Sequence, residues 1–213
     1  MSAVYVHHRV TAEPRQWKAL ADALRTAPLA ERRGALYGMW RSQIGRPRDE
    51  LAVITVWPDE GAAGEADALL LDAEPLVRNF ESERMAPTLR PSDPAPPRRQ
   101  GNYAFRWFET PAAHWQEFLD LCAGAWPGFE AAYDSQVIGL WRCLGSTGGA
   151  RRSLLLTRRP SLAMWERSKI PEGEAEAEVR RKLSRRYDLC DWTMVYTTTL
   201  LTADDREDTA RWA

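Results

Sequence analysis

The chain has 213 residues, with 29 Lys plus Arg against 30 Asp plus Glu, which gives a formal net charge of −1. This balance provides no electrostatic reason to expect binding to nucleic acid or to an anionic membrane. A hydrophobic fraction of 44% supports a packed core and excludes disorder for most of the chain. No secretory signal or membrane-length apolar stretch is visible, and the 3 cysteines lack CxxC spacing, so we expect reduced thiols and a cytoplasmic location.

The first 90 residues predict the element order β-α-β-β-α-β. Residues 4–10 are rich in β-branched and aromatic side chains, as a strand is, and Pro14 then begins a helix with apolar residues at helical spacing. Residues 36–44 and 51–57 predict a hairpin. A second helix, capped by Asp59, leads to a weak last strand over residues 85–89.

The second half predicts the same order. A strand over residues 103–108 precedes a helix with Trp115 on its apolar face, and a hairpin turns at the glycine-rich residues 145–149. Ser161 can cap the next helical region, whose residues 172–186 are acidic at the start and basic at the end, as the helix dipole favours. A strong last strand follows over residues 193–201.

These similarities form an internal repeat whose offset grows slowly from 98 to 107 residues, as small loop insertions would make it. The repeat predicts a first copy over residues 1–90, a proline-rich linker over 91–101, a second copy over 102–202 and a polar tail over 203–213, which is a short helix or disordered. The matched segments are Tyr5–Trp17 with Tyr103–Trp115, Gly38–Arg41 with Gly139–Arg142, Thr55–Pro58 with Thr157–Pro160, and Leu76–Phe80 with Leu183–Tyr187.

The β-α-β-β-α-β order is the ferredoxin-like split motif. Its four-stranded antiparallel sheet carries helices on one face and leaves the other face bare. Two tandem copies can therefore pack sheet to sheet within one chain. The predicted fold is α+β: two ferredoxin-like repeats forming an intramolecular barrel with helices outside and a cavity inside. Such a chain is either a monomer with an internal pseudo-dimer or a homodimer.

Short motifs in both copies resemble the NIPSNAP family within the dimeric α/β-barrel proteins. They include the strand Tyr103–Arg106, the Gly-x-Trp segment Gly38–Gly45, the strand that ends in Trp57, and the segment Asp72–Phe80. The resemblance implies the barrel fold. It leaves function open, because the barrel superfamily includes monooxygenases, isomerases, haem enzymes and binding proteins.

His8 and Arg106 occupy matched positions on the first strands of the two copies. The family pattern has Arg there, so His8 is a departure, and the acidic neighbour of that pattern is replaced by Val6 and Ala104. Together the two side chains could bind a carboxylate or enolate in the barrel cavity, with His8 moving a proton. They could equally be hydrogen-bonded structural groups.

If the strand faces are reversed, His7 and Arg9 take the positions that line the cavity. Trp40 and Trp141 form flat walls for an aromatic ligand in the functional interpretation and pack between sheet and helices in the structural one. Tyr196 could place its hydroxyl in the cavity. Thr55 and Thr157, which the repeat also matches, complete the expected ligand-binding set.

These residues favour a small-molecule enzyme without a cofactor. Its substrate would be hydrophobic, aromatic or polyketide-like, and the reaction would be proton transfer or cofactor-independent oxygenation. The alternative is a non-catalytic ligand-binding or assembly protein. A third possibility is a haem enzyme, for which His114 is the candidate ligand. The 3 histidines have no metal-binding spacing, so no metal site is expected.

Overall fold

The computed structural model describes residues 3–146 and 149–205, and within them the chain forms β-strands and α-helices in the order that the sequence predicts. The strands are β1 (Val4–Ala12), β2 (Ala35–Ile44), β3 (Glu50–Trp57), β4 (Val77–Arg90), β5 (Asn102–Pro111), β6 (Gln136–Cys143), β7 (Ala150–Arg159) and β8 (Trp192–Leu200). The α-helices are α1 (Trp17–Thr26), α2 (Ala68–Leu71), α3 (Trp115–Tyr133), α4 (Leu162–Arg167) and α5 (Glu174–Asp188).

The strands follow the closed order β1-β3-β2-β8-β5-β7-β6-β4, which confirms the predicted α+β barrel class. The described residues divide into two compact units. The first unit contains residues 3–86, 93–100 and 198–205, and the second contains residues 87–92, 101–146 and 149–197. No helix in the described residues is long and apolar enough to cross a membrane.

In the first unit, β3 is buried along its whole length between β1 and β2. Helix α1 places Trp17, Leu20 and Leu24 in the core, as their helical spacing predicts. The Arg41 guanidinium lies over the Trp17 ring, 3.9 Å from its centroid, so one face of the buried indole carries a stacked cation.

In the second unit, α3 and α5 cover one face of the sheet. Phe108 from β5 and Leu155 from β7 meet apolar side chains of both helices in one buried cluster. Leu154 and Trp141 pair across β6 and β7 on the opposite face. The second unit therefore has a helix-covered face and a face turned away from its helices, as the ferredoxin-like motif requires.

The second helical region differs between the units. In the first unit it is the four-residue α2, whereas α5 in the second unit has 15 residues. The predicted match of Leu76–Phe80 with Leu183–Tyr187 is therefore wrong. Residues 77–80 open β4, where Val77 pairs with Ala12 and Phe80 with Val10 of β1, whereas Leu183–Tyr187 lies within α5.

The predicted Ser161 cap is confirmed, because the backbone N–H of Met164 donates to Ser161 at 3.1 Å. The backbone N–H of Ala62 donates to Asp59 at 2.8 Å, but α2 begins only at Ala68, so Asp59 does not cap that helix. The predicted weak strand over 85–89 is only the end of β4. Residues 147–148 of the predicted turn and residues 206–213 of the predicted tail lie outside the described residues.

Candidate active site

A cavity of about 460 Å³, part of it open to solvent, lies in the second unit between the sheet and helices α3 and α5. It takes side chains from β5, β6, β7, both helices and the segment that links α4 to α5. The residues that line it are Arg106, Trp126, Phe129, Val137, Leu155, Thr157, Arg159, Ser168, Lys169, Arg180, Leu183, Arg186 and Tyr187.

Strand register explains why three of these residues share the cavity wall. Arg106 lies opposite Leu155, Ala104 opposite Thr157, and Asn102 opposite Arg159 in the β5–β7 pair. Directly opposed residues project from the same face of a sheet. Arg106, Thr157 and Arg159 therefore lie on the face that packs against the helices, not on the face turned away from them. The expectation that Arg106 points into the interior of the barrel is wrong.

The cavity wall is strongly cationic. It contains five basic side chains, and none of the residues that line it within the described chain is an Asp or Glu. Arg159 and Arg186 are buried, Arg106 and Arg180 are half-buried, and Lys169 is exposed. Moving a cation out of water without a counter-charge costs about 5 kcal/mol of free energy. The arrangement is therefore one that a negatively charged group would stabilise.

Three buried N–H donors of this wall have no hydrogen-bond acceptor among the described residues: Trp126 Nε1, Arg159 Nε and Arg186 Nε. The three side chains are only 4%, 8% and 3% exposed. Buried donors without partners are rare in folded proteins and each lost hydrogen bond costs free energy. A ligand that carries acceptor oxygens would satisfy them.

Arg159 is held by two contacts at the base of the cavity. Its Nη1 donates to Thr157 Oγ1 at 3.0 Å, and its guanidinium lies 4.9 Å from the centre of the Phe129 ring. Burial, and to a smaller extent the nearby Arg106, lowers the pKa of Arg159 to about 9 against the opposing effect of the Tyr187 phenol. The side chain is thus fixed in position while its charge is poorly compensated.

Tyr187 places a titratable phenol among the cations of the cavity. Arg106 and Arg186 lie 5.3 Å and 5.2 Å from its ring centre. Burial raises the pKa of the Tyr187 phenol, but Arg186, Arg106 and Lys169 lower it by more, so that it lies below the ordinary value of 10.0. The cations favour the phenolate, which could accept a proton from a bound substrate.

The first unit has polar groups at the matched strand positions, but they bond to one another. Thr55 lies opposite Val6, as Thr157 lies opposite Ala104. Thr55 Oγ1 accepts from Trp57 Nε1 at 2.8 Å, just as Thr157 Oγ1 accepts from Arg159. The second unit thus has a guanidinium where the first unit has a buried indole.

His8 is fully buried and links this pair to the protein surface. Its Nε2 is 3.2 Å from Thr55 Oγ1, and its Nδ1 is 2.8 Å from Ser82 Oγ. Ser82 donates to Asp67 at 2.6 Å, so the hydroxyl hydrogen is committed and His8 Nδ1–H donates to Ser82. Nε2 then accepts from Thr55. Each side chain in this hydrogen-bonded series, which runs from Trp57 through Thr55, His8 and Ser82 to Asp67, therefore has a partner.

His8 and Ser82 also affect the carboxyl group of Asp67, which is the exposed end of this hydrogen-bonded series. The hydrogen bond from His8 lowers the pKa of Asp67, and Ser82 lowers it further, against partial burial of the carboxyl. Asp67 is therefore ionised at neutral pH and accepts from Ser82. The matched polar groups of the first unit are a completed internal network, in contrast to the donors without partners in the second.

Arg106 and Thr157 are thus the two predicted site residues that the structure brings together in the cavity. Trp40 and Trp141 are fully buried, and each lies on the sheet face away from the helices, opposite Ala52 and Leu154 respectively. Tyr196 stacks on Phe105, with ring centres 5.3 Å apart. None of these three side chains lines the cavity.

The Gly-x-Trp motif has a packing explanation in both units. A Cβ built on Gly38 would lie 2.4 Å from the Trp40 ring, and one on Gly139 would lie 2.4 Å from the Trp141 ring. Each indole folds back over the glycine two residues earlier on its strand. The motif is therefore required for close packing, whatever else these rings contact.

The alternative candidates His7 and Arg9 are not among the described residues that line the cavity. Arg9 pairs with the exposed Glu81, and His7 is buried. The sequence analysis missed Arg159, Arg186, Tyr187 and Trp126. Two signals were available: the repeat aligns Arg159 with the apolar Trp57, and Arg186 falls on the buried side of an otherwise polar helix.

A histidine-ligated haem does not fit this cavity. Among the described residues that line it there is no His, Cys or Met to ligate the iron. His114, the candidate ligand, is exposed at the start of α3, where its Nδ1 lies 3.4 Å from the Leu189 carbonyl oxygen. No step is derived through haem.

No protein-family model and no curated protein matches the chain, so the resemblance to NIPSNAP proteins is not confirmed. Solved structures of dimeric α/β-barrel proteins do match over nearly the whole chain. A protein assigned as a monooxygenase from Lactobacillus acidophilus NCFM has 10% identity and a TM-score of 0.60, with coverage of 95% of this chain and 98% of that one.

An anthrone oxidase-like protein has 11% identity and a TM-score of 0.57, with 94% and 91% of the two chains covered. A chlorite dismutase variant from Candidatus Nitrospira defluvii has 7% identity and a TM-score of 0.60, with 94% and 92% covered. At these identities the likeness shows the fold alone.

Proposed function

We propose that the chain is a small-molecule enzyme whose substrate binds in the cationic cavity of the second unit. The substrate is hydrophobic, aromatic or polyketide-like, and carries an oxygen that is anionic when bound. The observation that supports this most directly is the set of three buried N–H donors without acceptors in a wall that has no carboxylate. Trp126 and Phe129 supply flat apolar contact for a ring system.

The proposed chemistry begins with proton transfer. Tyr187, as phenolate, takes a proton from an enolisable C–H or a phenolic O–H of the substrate. The electron pair moves onto the substrate oxygen, where Arg159 and Arg186 stabilise the enolate. Return of the proton to a different carbon completes an isomerisation. Arg106 holds the phenolate form of Tyr187 during the cycle.

Oxygenation is the second reaction that we propose for the same enolate. A substrate CH₂ group and O₂ give a C=O group and H₂O, with O₂ as the oxidant and no cofactor required for the balance. The neighbours named as a monooxygenase and as anthrone oxidase-like support this reaction class by analogy of fold. The catalytic role of His8 stays a prediction. Both of its ring nitrogens are hydrogen-bonded, one to Thr55 and the other to Ser82.

The test is a turnover screen of enolisable tricyclic ketones and polyphenols, followed by absorbance and by an oxygen electrode. We expect Tyr187→Phe to lower kcat by about 100-fold, a common size for loss of one acid–base group. Arg185→Gln, an exposed cation of the same helix that pairs with Glu117, is the matched control. Binding without any turnover would favour the non-catalytic ligand-binding alternative, and absence of both would overturn the proposal.

A further inference from the structure

The cavity holds more positive charge than one anionic group can compensate. Five cations line it, and the ion pairs with Asp or Glu among the described residues of the second unit use other arginines and Lys182. A substrate with one enolate would neutralise a single charge. Of the five cations only Lys169 is exposed, so the others would stay partly desolvated and uncompensated, which is unfavourable.

The cations are also spread in depth. Arg159 and Arg186, at 8% and 3% exposure, form the base of the cavity together with Trp126. Lys169 is exposed and stands on the solvent side, with the half-buried Arg180 also on the wall. Two anionic groups on one rigid frame can contact both the buried base and the exposed rim.

The walls between base and rim are apolar and flat. Phe129 carries the Arg159 guanidinium on its face, and Leu155, Leu183 and Val137 complete the lining. Such a surface favours an aromatic frame over a flexible chain. The rim lies on the segment between α4 and α5, which is fixed by Arg167: its guanidinium bonds both Glu176 oxygens at 2.9 Å and the Ile170 carbonyl oxygen at 2.6 Å.

We infer that the ligand of this cavity is an aromatic dianion with two separate charged groups, one on Arg159, Arg186 and Trp126 and the other on Lys169. This inference rests on the proposed function and adds the charge and shape of the substrate. A carboxylate at each end satisfies the geometry, because each guanidinium Nε–H and Nη–H can be shared between the oxygens of one carboxylate.

The experiment is calorimetric titration of the full chain with one naphthalene frame in three charge states. The compounds are 2,6-naphthalenedicarboxylate, its monomethyl ester and its dimethyl ester. We expect the dissociation constant to rise by about tenfold for each charge removed, which corresponds to about 1.4 kcal/mol per charge. A monoester that binds within threefold of the diacid would overturn the inference and leave the proposed function standing.

Two variants locate the ends. Lys169→Gln should abolish the preference for the diacid over the monoester and leave monoester affinity within threefold, whereas Arg159→Gln should weaken both compounds. Arg185→Gln is the control and should change neither. An equal loss for both compounds in Lys169→Gln would contradict the assignment of the rim.

A further compound distinguishes a ligand that carries both charges on one group from a ligand that carries them on two separate groups. 2-Naphthyl phosphate should bind more weakly than the dicarboxylate, since its charge is concentrated at one end. Tighter binding of the phosphate would overturn the two-ended arrangement. If no compound of the series binds, both this inference and the proposed substrate class fail.

Discussion

The two units differ most at equivalent positions of their first and third strands. In the first unit, Trp57 donates to Thr55, and His8 continues the chain to Ser82 and Asp67, so every polar group has a partner inside the protein. In the second unit the third strand ends with an arginine, and α5 adds Arg180 and Arg186 to a cavity whose described lining residues include no Asp or Glu. One fold thus gives a bonded polar network in one unit and a cation-lined cavity in the other.

The difference in the second helix accounts for part of this contrast. The 15-residue α5 of the second unit supplies four of the residues that line the cavity, whereas α2 in the first unit has four residues in total. A short helix brings Leu69 and Leu70 into the core but offers no long polar face. The Trp57 and His8 rings are buried in the first unit.

The largest expected effect comes from breaking the network of the first unit. His8→Ala removes a fully buried ring and leaves Thr55 and Ser82 without their partner, so we expect the free energy of unfolding to fall by about 3 kcal/mol. Urea denaturation followed by far-UV circular dichroism measures it. The matched control is His114→Ala at an exposed site, where a change below about 0.5 kcal/mol is expected. An equal effect at both histidines would contradict the account.

The next effect tests a feature that both units share. Gly38→Ala and Gly139→Ala each push a Cβ to 2.4 Å from a tryptophan ring, so each should destabilise the chain by about 2 kcal/mol. Gly64→Ala is the control, because nothing lies within 4 Å of a Cβ built there. Destabilisation by only one of the two glycine substitutions would show that the motif has a different role in each unit.

A smaller effect of opposite sign is expected in the cavity. Arg159→Met removes a buried cation that lacks a carboxylate partner and replaces it with an apolar side chain of similar length. We expect the free energy of unfolding to rise by about 1 kcal/mol while ligand binding is lost. Thermal unfolding with and without 2,6-naphthalenedicarboxylate measures both. A strongly destabilised Arg159→Met protein would show that the side chain serves structure rather than binding.

The smallest effect concerns pH and the segment that carries Lys169. Hydrogen bonds from Arg167 lower the pKa of Glu176 to about 2, against the model-peptide value of 4.5. A carboxyl whose pKa is lowered in the folded state stabilises the fold above its unfolded value, and this contribution is lost as pH falls from about 4.5 to about 2. Stability of the native chain should therefore fall over this range more steeply than that of Glu176→Gln.

Urea denaturation of both proteins at pH 7, 4 and 3 tests this difference, with Glu166→Gln as the control for removal of an exposed carboxyl. A stability difference between the native chain and Glu176→Gln that stays constant down to pH 3 would mean that the Arg167–Glu176 pair contributes nothing beyond its own exposed charges.

The fold could be predicted from the sequence because hydrophobic periodicity and strand composition agree along most of the chain, although α1 begins at Trp17 and not at the predicted Pro14. The site could be predicted only in part. Arg106 and Thr157 are visible as the matched partners of His8 and Thr55, but the face of β5 depends on which side the helices cover, and alternation alone does not decide that. Arg186 lies in the basic end of a helix, where the dipole explains a cation equally well, so only tertiary packing shows that it is buried.

The central claim is that ligands bind in the second unit and not at the equivalent positions of the first. The indole N–H signals of the 10 tryptophans in a two-dimensional ¹H–¹⁵N spectrum test it, with Trp126 and Trp57 assigned from Phe variants. On titration with 2,6-naphthalenedicarboxylate, the Trp126 signal should shift strongly, because its Nε1 gains an acceptor, whereas that of Trp57, which already donates to Thr55, should not move. A shift of Trp57 without a shift of Trp126 would contradict the account.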